Sequence, residues 1–384
     1  MLPISPRAQA ALAGAARRPI RAEWSNDGGA SWVPVPQLAA AEVRPDRTAE
    51  CRYSGTADLI GIPLGASGVN TVTTQVRLFQ GIQGPRMDVE WIPAGVYVVD
   101  RLTRTRYGAQ VDLLGREEVV RSAKLPAPRA VGPDSAQALA EQLLAEALPR
   151  VPIAWLDGVD PSTPVPAHVI EEDRWAALAG GTDTAGTDTG IAAALGADLY
   201  ADAAGVLTFA PIPTLDDPVV WRIPYGLALV EPAEQETAEG LVNLWAVSGD
   251  GGDGAPATGP VYVWDDDPAS ITYAGPAPVA DPLAPQREGL SGVRIRAERY
   301  TSALITNVGQ AYDVGRARLA DSLGVQASLS FTSVCHPGLE PGDVVEVEVR
   351  PGEWQRHIID SCPYTLGSAI QSCTTRTTTR RVTS

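Results

Sequence analysis

The sequence predicts a β-rich α+β protein, with two β-domains of barrel or sandwich type flanking a small α+β insert. Three observations carry that expectation. Residues 20–114 hold short apolar runs punctuated by Pro, Gly and Asn-Asp. Residues 134–215 mix helical and strand spacing. Residues 307–349 give a helix, then two alternating runs around a proline–glycine turn. The expected units are an N-terminal arm or helix at 1–17, a first β-domain at 18–125, a linker helix and insert at 126–240, and a second β-domain at 241–384.

Residues 8–16 are Ala-rich and suit a short helix. Ile20, Ala22 and Trp24 alternate with charged residues, Asn26-Asp27-Gly28-Gly29 tolerates positive φ, and Trp32, Val33 and Val35 follow, so a hairpin is expected. Further strands are expected at 44–53, 71–79, 86–91, 95–102 and 110–114. The Pro-rich stretch 124–133 reads as a linker. Asp134 with Gln137 fits a capping box, and Leu139 and Leu143 then share one helical face. Residues 171–178 and 191–195 look helical around a polar stretch at 182–190, and 198–209 reads as a hairpin turning at Asp202–Gly205.

Strands are expected at 241–248 and 261–264, followed by a Pro-rich connector at 276–285. The helix at 307–323 opens on a second capping box, Asn307 with Gln310. Its Gly315 lies on the apolar face with Val308, Ala311 and Leu319, which implies close approach to a sheet, expected to be that of the runs that follow it. Val325, Ala327, Leu329 and Phe331 share one side of a strand; Val345, Val347 and Val349 repeat the pattern after the turn at 336–343. The Thr- and Arg-rich residues 374–383 suit an edge strand or tail.

With 384 residues and a formal charge of −16, the chain has room for several cores and lacks the positive balance of a nucleic-acid groove. An acidic surface keeps a protein soluble, and it also lets DNA pass without sticking. Lys124 is the only lysine, which removes the phosphate-loop motif and leaves one candidate for lysine chemistry. Apolar runs stay too short for a membrane span, and the apolar stretch in residues 1–16 is too weak for a signal peptide, so synthesis in the cytoplasm is expected.

No metalloprotease, nucleophile-elbow or dinucleotide motif occurs. Cys51, Cys335, Cys362 and Cys373 lack paired spacing and read as buried free thiols, with one bridge open between Cys362 and Cys373. A Cys–His dyad would need Cys335 with His357, or Cys362 with His336 or His357; His168 is the remaining histidine. The acidic runs Glu117-Glu118, Glu171-Glu172-Asp173 and Asp265-Asp266-Asp267 read as solvated faces. Asp183 with Asp188, and Asp250 with Asp253, are loop acids of the kind that hold calcium, without the twelve-residue pattern. The nine tryptophans are dispersed, as core and interface residues are. The expected lists of catalytic, cofactor-binding and metal-binding residues are therefore empty.

The first 125 residues resemble a tail-protein family of actinobacteria and their phages. The resemblance rests on Met1-Leu2-Pro3-Ile4-Ser5-Pro6, Ile20-Arg21-Ala22-Glu23-Trp24, residues 43–52 and Pro93-Ala94-Gly95-Val96-Tyr97-Val98-Val99. Glu172-Asp173-Arg174-Trp175, Gly196-Ala197-Asp198-Leu199-Tyr200 and Asp202-Ala203-Ala204-Gly205 extend it. The second half resembles phage baseplate hub proteins through Val242-Asn243-Leu244-Trp245, Asp267-Pro268-Ala269-Ser270-Ile271-Thr272 with Tyr273 one place early, and Pro337-Gly338-Leu339-Glu340-Pro341-Gly342-Asp343.

The resemblance implies a non-enzymatic hub whose two β-domains are tail-tube-like. Three copies would form a ring joining a six-fold tube to a three-fold tip. Partners would be a tail tube or distal tail protein above and a tip, spike or fibre protein below, with genomic DNA passing the lumen unbound. Such a protein belongs to the virion, at the tail tip or baseplate, and is assembled in the host cytoplasm. A tail-tip cell-wall hydrolase and a glycan-binding receptor protein remain as alternatives.

Overall fold

A computed structural model describes residues 1–12, 14, 16–181, 188, 190–226, 229–237, 241–250, 257–280, 295–322 and 325–379. The polar stretch 182–190, the glycine-rich loop 249–254 and the connector 276–285 fall partly outside these residues, and 380–384 wholly outside. Several sheets and a minority of helix make this a β-rich α+β protein.

The first sheet has eight strands in the order Val33–Pro34, Ile20–Ser25, Gln75–Ile82, Glu90–Arg104, Gly108–Gly115, Tyr53–Ile60, Gln37–Pro45 and Tyr364–Thr365. The expected hairpin is present, with Trp24 opposite Val33. Along Tyr53–Ile60 every second residue is buried, so one face builds a core with Val76, Leu78, Tyr97, Val111 and Leu113. Two expectations change. The runs 86–91 and 95–102 are one strand, Glu90–Arg104, which absorbs Pro93 and Gly95 at a register shift opposite Leu78 and Phe79. The stretch 44–53 is a hairpin tip, since Asp46 turns the chain by accepting from the Thr48 amide at 2.8 Å and its hydroxyl at 2.7 Å.

Beyond this sheet, Ile153–Trp155, Leu207–Pro211 and Ala197–Ala201 form a three-stranded sheet covered by short helices. Leu139, Leu143, Leu178, Ile191 and Phe209 fill its core, and Trp155 stacks on Phe209 with ring centroids 4.0 Å apart. The expected hairpin turn holds: Asp202 accepts from the Ala204 and Val206 amides at 2.9 and 2.8 Å. The helix Ala136–Ala147 is capped by Ser135, which accepts from the Ala138 amide, and not by Asp134.

The second large sheet has six strands in the order Val219–Ile223, Val344–Arg350, Glu353–Ser361, Ile370–Thr379, Val325–Val334 and Leu229–Thr237. Sheet membership thus crosses the expected boundary at 240. The Thr-rich strand is not an edge: Val325–Val334 pairs with it on one side and Glu353–Ser361 on the other. Thr375 shows why threonine suits the interior. It is fully buried, its branched side chain fits the pleat, and its hydroxyl donates to the Leu329 carbonyl at 3.2 Å.

A separate three-stranded layer, Leu244–Gly249 with Thr258–Trp264 and Ala297–Ser302, receives the long helix Val308–Ser322. The capping pair forms as expected, Asn307 accepting from the Gln310 amide at 2.9 Å. Gly315 does approach a sheet closely, since a Cβ there would lie 2.6 Å from Val263 Cγ2. That sheet is this layer, whereas the alternating runs 325–334 and 344–349 belong to the six-stranded sheet.

Candidate functional site

The residues considered for chemistry are scattered. Cys335 is buried and accepts from Gln80 Nε2 at 3.5 Å, while His357 Nδ1 lies 3.0 Å from Thr375 Oγ1 and His336 packs on Trp221. Cys362 Sγ lies 3.8 Å from the Leu339 carbonyl, and among the described residues no histidine hydrogen-bonds to Cys335 or Cys362. Burial pushes the Cys335 thiol up to about 11 and Cys373 to about 12, which keeps both protonated and poorly nucleophilic at neutral pH. Burial also lowers His336 and His357 to about 4, so both rings are neutral. All four cysteines are free thiols, including Cys362 and Cys373. His168 bonds the Pro166 carbonyl through Nδ1.

The acidic runs have structural partners. Asp265 accepts from Ser270 Oγ and Thr272 Oγ1 at 2.5 and 2.7 Å, closing a turn whose ends are buried, while Asp266 and Asp267 are exposed. Asn243 pins that turn to the neighbouring layer, donating to the Thr272 carbonyl and accepting from the Arg296 amide. Asp188 accepts from the amides of Gly181 and Gly190 and from the Tyr300 hydroxyl, so its oxygens are committed to the protein. Asp183 and Asp253 lie outside the described residues. Among the described residues no group of three or more His, Cys, Asp or Glu is placed to hold a metal. Of the nine tryptophans Trp354 is the exposed one, and Trp24 and Trp245 are core residues.

One polar cluster among the described residues is a joint that the sequence did not point to. Arg47, at the first sheet's hairpin tip, reaches Asp198 of the insert strand at 3.0 Å and Asp321 of the long helix at 3.5 Å. Arg376 of the second sheet reaches the same Asp321 at 2.9 Å, and its Nε lies 3.2 Å from Asp360 Oδ1 without making a hydrogen bond. Burial would lower the Arg47 pKa, but Asp198, Asp321 and Asp360 outweigh it and hold the charge. Burial raises Asp360 to about 7, with Arg47 opposing and Asp321 and Asp46 reinforcing. Burial also raises Asp321, offset by Arg47.

Beside it, the Arg52 guanidinium sits 3.6 Å over the Tyr200 ring and donates to the Pro341 carbonyl, while the Tyr53 hydroxyl donates to Glu340 at 3.1 Å. Glu117 is buried and accepts from the amides of Arg52 and Ala201 at 3.1 and 3.0 Å, and burial raises its pKa. The turn at 336–343 is therefore a docking point for the first sheet. Gln80, fully buried, accepts from the Gly367 amide at 2.9 Å, in the connection leading to Ile370–Thr379, and donates to Cys335 just past Val325–Val334, a second tie between the sheets. Opposite charges neutralise each other across this joint; its chemistry is that of a clamp. Its members come from positions as far apart as Arg47 and Arg376, with no local pattern to reveal them.

No protein-family model matches the chain, and no curated protein sequence matches it. Its fold is similar to solved tail proteins over nearly its full length. The 43 kDa tail protein of prophage MuSo2 from Shewanella oneidensis aligns with a TM-score of 0.51 and 11% identity, over 92% of this chain and 98% of that one. A tail protein from Neisseria meningitidis MC58 gives 0.53 and 11%, over 95% and 97%. The prophage tail protein gp18 from Listeria monocytogenes EGD-e gives 0.51 and 11%, over 94% and 95%.

Proposed function

We propose that this chain is a structural hub protein at the distal end of a phage or phage-derived tail tube. Two tube-like β-units in each subunit, centred on the two large sheets, would let three copies present six units, joining a six-fold tube to a three-fold tip. A tail tube or distal tail protein would sit above the ring and a tip, spike or fibre protein below. The observation that supports this reading most is the full-length likeness of fold to phage tail proteins. The clamp adds a physical reason, because a ring subunit needs its two β-units in a fixed relation, and Arg47, Arg52 and Gln80 fix them. Acidic groups on a lumen wall would repel the passing genome, in keeping with the charge of −16.

Native mass measurement and negative-stain imaging of the purified chain test the proposal. Three-subunit rings, and labelling of the tail tip by an antibody to the chain, are the expected results. A monomer that persists at micromolar concentration, or cell-wall turnover abolished by changing one carboxylate, would overturn it.

A further inference from the structure

A cleft of about 340 Å³ opens where the first sheet meets the Asp202–Gly205 turn of the insert. Three guanidinium groups line it, from Arg77, Arg116 and Arg150. Arg116 is only 6% exposed, and among the described residues no carboxylate stands within ion-pair distance of it. It donates to two neutral acceptors, the Gly205 carbonyl at 2.7 Å and Gln75 Oε1 at 2.8 Å, and its Nε has no partner. Asp202 is the acid in its field, but that carboxylate is spent on the Ala204 and Val206 amides. A buried charge without a counter-ion is costly, so the site is incomplete as it stands.

The walls say what would complete it. Arg150 is exposed, and among the described residues its one hydrogen bond is a long one, 3.4 Å to the Asp27 carbonyl. Gly29 stands over Arg116; a Cβ there would come within 3.0 Å of Nη2, and a φ of +89° disfavours any side chain, so position 29 adds no side chain between the guanidinium and the cleft. Arg77 lies 4.4 Å over the Trp32 ring and is paired with Glu23, so a carboxylate already serves one of the three cations. Trp32 and Phe79 add an apolar flank. A planar carboxylate matches a guanidinium fork, and a cleft of this size holds one or two side chains.

We propose that this cleft is a binding site for a short acidic peptide segment presented by a neighbouring protein, its carboxylate seated between Arg116 and Arg150. Calorimetric titration of the full chain at about 20 mM salt, where surface charge is little screened, tests it. The probes are a blocked tripeptide of aspartate and glutamate, its neutral amide counterpart, and inorganic phosphate. The acidic peptide should bind, the neutral one should not, and raising the salt should weaken binding. Arg150→Gln should weaken it about tenfold, and Arg150→Glu should abolish it. Arg116→Met should also abolish it, and circular dichroism checks that this variant is folded; the exposed Arg150 variants keep the test valid if it is not. No heat with the acidic peptide, equal binding of the neutral peptide, or unchanged affinity in Arg150→Glu overturns the proposal. Phosphate binding more tightly than the peptide also overturns it, and marks a free-anion site instead.

Discussion

Seven of the eight strands in the first sheet come from one continuous stretch, residues 20–115, whereas the second sheet gathers its six from 219–237, 325–334 and 344–379. Strand chemistry is similar in both; connectivity is not. A contiguous sheet closes most of its loops locally, while a gathered sheet depends on long connections being held in place. The contrast explains where the clamp sits. Arg47 and Arg52, from the first sheet's hairpin tip, hold the long helix, the insert strand and the turn at 336–343, which the gathered sheet cannot fix alone. In return the second half supplies Tyr364–Thr365 to finish the first sheet. Each region completes the other, so the two are expected to unfold together.

The sharpest way to break that comparison is Arg47→Ala. It takes from Asp198 its cation and from Asp321 one of two, Arg376 remaining; with these carboxylates 30% and 36% exposed, solvent screens part of the penalty and the expected loss is about 2–4 kcal/mol. Urea unfolding should move to a lower midpoint in a single transition. A loss under about 1 kcal/mol, or two separated transitions, would show the halves to be autonomous.

A smaller effect, confined to one region, is expected from Gly315→Ala. The added methyl meets Val263, and overpacking of this kind costs about 1–3 kcal/mol. Amide exchange should speed up in Leu244–Gly249 and Thr258–Trp264 before it changes in the first sheet. Equal acceleration in both sheets would mean that the layer has no separate opening.

The smallest expected effect depends on pH. Asp360 titrates at about 7 in the folded chain, against about 4 when unfolded. A raised acid favours the folded state below its unfolded pKa, and that contribution is lost as pH rises from about 4 through 7. Asp360→Asn should remove this slope, leaving the variant about 1–2 kcal/mol more stable than the parent at pH 8. Parallel stability–pH curves for parent and variant would remove Asp360 from the account.

Legibility in the sequence followed the same division. The hairpin at Trp24, the turn at Asp202–Gly205 and the Asn307 cap each depend on residues close in the chain, and each was readable; helical spacing also showed that Gly315 meets a sheet, but not that the sheet is the one holding Val263. Glu353–Ser361 was not, because His357, Ile358 and Ile359 are buried in succession and give no alternation. The Thr-rich strand looked like an edge because its hydroxyls suggest water, yet Thr375 finds its partner inside the sheet. The clamp and the arginine-lined cleft were invisible for a plainer reason. Arg47 meets Asp321, and Arg116 meets Gly205, only once the chain has folded.

Tyr364–Thr365 also sets the order in which the protein can be made. Tyr364 lies opposite Val43, so the ribosome adds roughly 320 residues between an edge and the strand that covers it. At about 5–20 residues per second, that edge waits from about twenty seconds to a minute. Until then the 41–45 end of Gln37–Pro45 offers bare amides and carbonyls to any strand that passes, including the same segment on a neighbouring nascent chain. Yield in a cell should therefore depend on how quickly translation reaches residue 365 and on whether a chaperone guards the edge meanwhile.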